Sequence, residues 1–271
     1  MPELPEVETT RRGIEPYITG QTVQSVTLRQ TRLRWLTPSS LKTFLPGQRI
    51  EQVTRRGKYL LLHTAVGTVI IHLGMSGSLR IATQHDVVEK HDHVDIVFSR
   101  NCILRLRDPR RFGAVLWTKA SPLAHKLLCA LGPEPISDEF DAHYLFQRSR
   151  KRQIAIKAFI MDSKVVVGVG NIYANEALFQ AGIRPNTPAG RISLIRYQRL
   201  VAAIKAVLTA AIKAGGTTLR DFTNSEGNPG YFKQKLQVYG RAGAACTICG
   251  TQIKLIQQAQ RATYYCTHCQ H

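Results

Sequence analysis

Four of the six cysteines are spaced Cys246-x2-Cys249-x16-Cys266-x2-Cys269. Each close pair can bite one metal ion from a tight knuckle, and the longer insert suits a short hairpin that returns the second pair. Four thiolates in a tetrahedral array suit one structural Zn²⁺, which contributes on the order of 10–16 kcal/mol of binding energy to a small fold. Such a site has no open position, so the metal is expected to hold a loop and not to catalyse. Two disulfides or an iron–sulfur cluster are the alternatives; no secretory leader is evident, which favours a reducing compartment. Residues Gln257 to Tyr265 read as a hairpin that presents Gln260 and Arg261 at its tip. Cys102 and Cys129 stand alone and are expected to be buried, inert thiols.

A second chemical signal opens the chain, Met1-Pro-Glu-Leu-Pro-Glu-Val-Glu-Thr9. A small second residue generally permits removal of Met1, which would expose a secondary amine at Pro2. An α-amino group titrates near about 7.7–8.0 and a lysine near about 10.4, so far more of the terminal amine is free base at neutral pH. A terminal proline is then a competent carbonyl nucleophile without special desolvation, and its secondary amine forms an iminium on attack. The plainer reading is a proline seated in the first turn of a helix.

These groups need elements to hold them. The chain has 271 residues, and its 44% apolar content is enough for a real core. Residues 4–18 read as a helix, with Val7, Ile14 and Ile18 on one side and Pro16 ending or bending its last turn. From about 22 to 118 the pattern turns to short strands, among them Tyr59–His63, Thr68–His72, His93–Phe98, Cys102–Arg107 and Ala114–Trp117. This stretch predicts a β-sandwich or barrel. Leu131-Gly-Pro-Glu-Pro-Ile136 reads as a linker, and helical periodicity follows, clearest from Ser193 to Ala214, where Gly215-Gly216 stops it. In Val165–Asn171 two glycines make a turn, and Asn171 is expected to cap the next helix, whose exposed N–H groups would suit phosphate.

Charge narrows the partner. Lys plus Arg number 37 against 18 Asp plus Glu, a net of +19. Residues 143–271 hold 18 basic and 4 acidic side chains, with no carboxylate side chain after Glu226. Such asymmetry favours a polyanion, although a solvated cationic face is the bland alternative. Arg148, Arg150, Lys151, Arg152 and Lys157 form the densest cluster. No apolar run approaches a membrane span and no basic amphipathic anchor is evident, so a soluble, intracellular protein is expected, with nucleic acid modestly favoured and a membrane surface a weaker partner.

The PELPEVE start, RRGKY at Arg55–Tyr59, HLGMSGSLR at His72–Arg80, DPRRFG at Asp108–Gly113, VGVGNIYANE at Val167–Glu176 and the cysteine finger follow one another in that order. Together they resemble the bacterial formamidopyrimidine-DNA glycosylases. The resemblance implies an α+β chain with three parts. An N-terminal catalytic β-sandwich with a leading helix would occupy 1–131. A helical DNA-binding domain of helix-two-turn-helix type would occupy 132–236, with 132–137 as linker, and a four-cysteine zinc finger 237–271.

It also implies base-excision repair chemistry on double-stranded DNA with oxidised purines or abasic sites. Pro2 would be the nucleophile, Glu3 a general acid at the opening sugar, Lys58 an aid to β-elimination near the sugar and its phosphate, and Arg261 the phosphate grip that promotes δ-elimination. Met75, Arg110 and Phe112 would fill the stack a flipped base vacates, with Arg110 addressing the orphaned cytosine. His91, Arg110, Arg152, Lys157, Asn171 and Arg261 would contact phosphates; between Lys151 and Arg152 the choice is Arg152. Residues 217–232 would be a loop closing over the flipped base. One structural Zn²⁺, no nucleotide cofactor and a bacterial monomer, cytoplasmic and DNA-associated without membrane contact, complete the expectation. An endonuclease VIII-type relative acting on oxidised pyrimidines shares Pro2, Glu3, Lys58 and the finger, but Leu4 and Arg110–Gly113 favour the purine type. A non-catalytic zinc-ribbon nucleic-acid-binding protein would explain the charge and cysteines and leave Pro2, Glu3 and Lys58 without a role.

Overall fold

A computed structural model of the protein describes residues 2–99, 101–217 and 236–271. These fall into two compact units. The first runs to Cys129 and takes in Ala214 to Thr217; the second comprises the residues from Ala130 to Lys213 and the C-terminal segment. No helix among the described residues is long and apolar enough to cross a membrane.

In the first unit, α1 (Leu4–Ile18) begins the chain. The strands β1 (Val23–Leu28), β2 (Gln52–Arg56), β3 (Tyr59–Thr64), β4 (Gly67–His72), β5 (Ser78–Ala82), β6 (Asp92–Phe98), β7 (Cys102–Arg107) and β8 (Ala114–Thr118) follow, with a short α2 (Leu41–Phe44) after β1. They form two antiparallel four-stranded sheets, ordered β1-β6-β7-β5 and β2-β3-β4-β8. This is the expected sandwich. Alternation explains why it closes: inward residues such as Leu60, Leu62, Val69, Ile71, Ile96, Leu104 and Val115 make one core, and α1 adds Val7, Ile14 and Ile18 to it. Pro16 sits inside α1, which runs on for two residues and stops at Ile18. The strands β1 and β2 alternate poorly in sequence, whereas β5 alternates Leu79 and Ile81 with Ser78 and Arg80.

The second unit is helical: α3 (Ala142–Ser149), α4 (Ile156–Met161), α5 (Asn171–Gln180) and α6 (Leu194–Lys213). Asp141 caps α3 by accepting the Tyr144 N–H at 2.7 Å. The buried stripe of α6 holds Leu200, Val201, Ile204, Val207, Leu208 and Ala211. An antiparallel hairpin, β9 (Ile253–Gln258) and β10 (Arg261–Cys266), ends the unit. Its turn residues Ala259 and Gln260 both have positive φ, 45° and 59°, which makes a tight reversal and brings Arg261 to the tip as expected. The proposed closing loop lies, beyond Thr217, outside the described residues.

The expectation of buried lone thiols needs one correction. Cys102 is half-buried, and burial pushes its thiol pKa up, but Cys129 is exposed. It sits in a short turn after the 3₁₀ segment Pro122–Ala124, where little core exists to cover it.

Candidate active site and nucleic-acid interface

Glu3 is the N-cap of α1 and forms a reciprocal capping box with Glu6, whose Oε2 accepts the Glu3 N–H at 2.9 Å. Glu6 is fully buried, and its other oxygen, Oε1, accepts the Thr217 N–H at 2.8 Å. One carboxylate thus fixes the backbone beside Pro2 to a residue 211 positions away. Pro2 and Glu3 are both buried. Sequence reading overlooked Glu6, although the Glu-x-x-Glu spacing at a helix start was its signal.

Lys58 is the second residue of the two-residue turn joining β2 and β3. Gly57 takes the left-handed place there, φ +57°, which a side chain would strain. Arg55 steadies this turn and ties it to α1: Nη1 donates to the Gly57 carbonyl at 3.0 Å and Nε to Glu8 Oε2 at 3.1 Å. Glu8 also takes hydrogen bonds from Arg11 and Arg12. Burial alone would raise its pKa, but these bonds and the charges of Arg11 and Arg55 win and bring it down to about 2. His72 closes β4 with its ring 4.8 Å from that of Tyr59. Burial, then the charges of Lys58 and Arg34, push its pKa down to about 4. Its neutral Nδ1 accepts the Gly74 N–H at 3.0 Å.

Met75 stands on the β4–β5 loop, Arg110 and Phe112 on the β7–β8 loop, and His91 immediately before β6. Met75 and Phe112 are 37% and 42% exposed, so neither is a core residue. The Arg110 guanidinium lies over the Phe112 ring, 5.2 Å from its centroid. Two apolar side chains with an arginine beside one of them, held outward, can enter a base stack.

In the second unit the basic cluster divides by use. Arg150 donates to the Phe146 and Ile192 carbonyls and Arg148 to that of Lys164, so both brace backbone. Lys151 and Arg152 are exposed in the turn between α3 and α4. Lys157 is 2% exposed; its ammonium donates to the Ala262 carbonyl at 3.0 Å and to Thr263 Oγ1 at 2.6 Å. Asn171 does not cap α5, because the helix starts one residue earlier and Gly170 holds the N-cap place. Its Nδ2 donates to the same Ala262 carbonyl at 3.0 Å. Asn175 Oδ1 accepts the Tyr264 N–H at 2.8 Å. Three side chains from α4 and α5 therefore hold β10, the strand that begins with the exposed Arg261. A cavity of about 210 Å³ is lined by Lys157, Met161, Gln258 and Arg261 among others. Glu176 gathers the N–H groups of Gln237, Val238 and Tyr239 at 2.8–3.0 Å, a further carboxylate that no local pattern announced.

The Sγ atoms of Cys246, Cys249, Cys266 and Cys269 lie within 4.8 Å of one another. Cys246 and Cys269 are 3.9 Å apart and Cys249 and Cys266 3.4 Å. A tetrahedron with Zn–S bonds of about 2.3 Å has edges of about 3.8 Å. The Ile248 and Cys269 N–H groups point at the sulfurs of Cys246 and Cys266, at 3.5 and 3.4 Å, where they would stabilise thiolates. The four residues fit one structural zinc.

Comparison with known proteins agrees along the whole chain. Residues 1–115 match the formamidopyrimidine-DNA glycosylase N-terminal domain, 131–223 the H2TH domain of the same enzymes, and 243–271 the zinc finger found in FPG and IleRS. A formamidopyrimidine-DNA glycosylase of Nitrosococcus oceani is 59% identical over 271 residues, covering all of both chains. One of Pseudomonas aeruginosa is 57% identical over 270 residues, again at full coverage. Among solved structures, the Lactococcus lactis Fpg bound to DNA with an N7-benzyl-Fapy-dG has a TM-score of 0.93 at 36% identity and covers all of both chains. The same enzyme bound to abasic-site DNA has a TM-score of 0.92 at 35% identity, also at full coverage. The chain belongs to the formamidopyrimidine-DNA glycosylase family.

Proposed function

We propose that this chain is a bifunctional DNA glycosylase and abasic-site lyase of base-excision repair, acting on duplex DNA that carries oxidised purines or abasic sites. The observation that carries this reading is the setting of the N-terminus. Glu6 clamps the backbone of Glu3, so a terminal amine at Pro2 would sit beside a buried carboxyl on a rigid helix start. The reading requires that Met1 be removed.

The Pro2 nitrogen attacks C1′ of the damaged nucleotide, the glycosidic bond breaks, and the base leaves. Glu3 delivers a proton to the ring oxygen as the sugar opens, and the nitrogen–carbon bond becomes an iminium. The iminium acidifies the C2′–H, so proton loss expels the 3′ phosphate and a second elimination expels the 5′ phosphate, leaving a one-nucleotide gap with phosphate ends. Lys58, on its clamped turn, serves the first elimination and Arg261 the second. A buried base must leave the stack first, at a cost of a few kcal/mol, and Met75, Arg110 and Phe112 fill the space. Among the phosphate contacts, His91, Arg152 and Arg261 have partly or fully exposed side chains. Lys157 and Asn171 contribute by holding the hairpin of Arg261, and any phosphate contact of theirs is made from that position. The zinc, when bound, fixes the fold of the finger, and the cell compartment that suits thiolate ligands and a DNA substrate is the bacterial cytoplasm.

Borohydride trapping on a duplex with one 8-oxoguanine opposite cytosine tests this, read by mass spectrometry of the linked peptide. An adduct on Pro2 with Met1 absent is expected, and Pro2→Gly should still bind DNA but lose trapping and strand cleavage. Equal cleavage by Pro2→Gly and wild type would remove Pro2 from the mechanism.

A further inference from the structure

We infer that Asp108 is the positioning residue that holds the base-stack wedge together, an inference that rests on the wedge role read above for Met75, Arg110 and Phe112. Asp108 is fully buried, and each of its polar groups reaches a different part of this surface. Its Oδ2 accepts the Gly113 N–H at 2.7 Å, which closes the loop bearing Arg110 and Phe112. Its Oδ1 accepts the Ser76 hydroxyl at 3.3 Å, and Ser76 Oγ in turn accepts the Arg110 N–H at 3.3 Å. Ser76 follows Met75 directly, so the two loops share one small hydrogen-bonded node. The Asp108 N–H donates to the His91 carbonyl at 3.0 Å, and its carbonyl accepts from His93 Nε2 at 2.9 Å, which brings the His91 segment into the same node.

Sterics make the join close. Gly74 has φ +66°, and a Cβ there would lie 2.3 Å from the Phe112 carbonyl carbon. The two loops therefore touch backbone to backbone, and only glycine permits it. Arg111, at φ +56°, is a non-glycine residue in the left-handed region within the same loop, a strained conformation that the surrounding bonds must hold. Met75, Arg110, Phe112 and His91 come from three separate segments, yet one aspartate fixes their relative placement. A wedge that is already assembled loses little conformational freedom on entering DNA, so the node should act on the step that needs a wedge and not on the sugar chemistry.

The test compares full-length wild type, Ser76→Ala and Asp108→Asn on two substrates. One is a duplex with 8-oxoguanine opposite cytosine and a 2-aminopurine beside the lesion, followed in single turnover. The other is a single strand with an abasic site, which has no partner strand to invade. Asp108→Asn should slow duplex excision about tenfold, and Ser76→Ala by a smaller factor of roughly three, with the 2-aminopurine signal slowed in step. Cleavage of the single strand should stay within about twofold of wild type on that account. Ser76→Ala removes a single hydroxyl and keeps the Gly113 bond, so it decides the matter if Asp108→Asn does not fold. Duplex excision unchanged in the folded variants, or both activities falling together, would overturn the inference. Wild type inactive on both substrates would overturn the glycosylase reading itself.

Discussion

Glu6 and Glu8 lie two residues apart on α1 and do different work. Glu6 spends both oxygens on backbone N–H groups, while Glu8 collects three arginines and joins α1 to the turn that bears Lys58. The pH dependence of stability follows from Glu8 and His72. Glu8 titrates near about 2 in the folded chain against an ordinary 4.5, so between those values the unfolded chain binds more protons and stability falls as pH falls. His72 titrates near about 4 against an ordinary 6.5, so stability is also lost as pH drops through that higher window, where His63, pushed down by burial, adds to the loss. The urea midpoint should therefore hold above pH 6.5 and decline in two overlapping stages below it. Glu8→Gln should cost on the order of 2 kcal/mol at neutral pH and flatten the lower stage. A midpoint that does not change from neutral pH to about 4.5 would contradict the placement of His72.

At the scale of elements, the hairpin shows how the tip that bears Arg261 is supported from outside. The β9–β10 turn is tight, but two strands alone are marginal in water. The finger adds the cysteine cluster, and Cys246, Ile253 and Cys266 pack with Phe179 of α5 and Val238. Lys157, Asn171 and Asn175 then fasten β10 by its backbone and by Thr263. Lys157→Met keeps the aliphatic stem and removes the ammonium, so the Ala262 carbonyl keeps the Asn171 bond and the Thr263 hydroxyl its bond to the Arg261 carbonyl, and each loses one partner. The substitution should cost about 2–3 kcal/mol, and amide exchange along Ala262–Cys266 should quicken while the β-sandwich amides keep their protection. Unchanged exchange in β10 would mean that the metal cluster and the two asparagines suffice. The zinc ligands and the hairpin tip are short-range patterns, and they were legible from spacing and turn residues. The role of Lys157 was not, because a lysine in a basic run looks the same whether it meets a phosphate or a buried carbonyl.

For the molecule as a whole, the net charge of +19 predicts binding that salt weakens steeply. If about six phosphates are neutralised, affinity for duplex DNA should fall about 10³-fold between roughly 50 and 200 mM salt, measured by fluorescence anisotropy on undamaged DNA. A slope near zero would refute the electrostatic share of binding. The α+β class, the sandwich, the helical region, the cysteine cluster and the unusual Pro-Glu start could all be read from the chain. Each rests on residues a few positions apart, where alternation, periodicity, ligand spacing and terminal amine chemistry act locally. Long-range pairings could not be read in that way. Glu6 meets Thr217 across 211 positions, Lys157 meets Thr263 across 106, and Ser76 meets Asp108 across 32. Whether Met75 and Phe112 fill a core or face outward was equally open, since an apolar side chain favours burial wherever the fold offers room. Strand register and helix docking settle such questions, because a buried carboxylate or ammonium is stable only where folding brings its partners within hydrogen-bond reach.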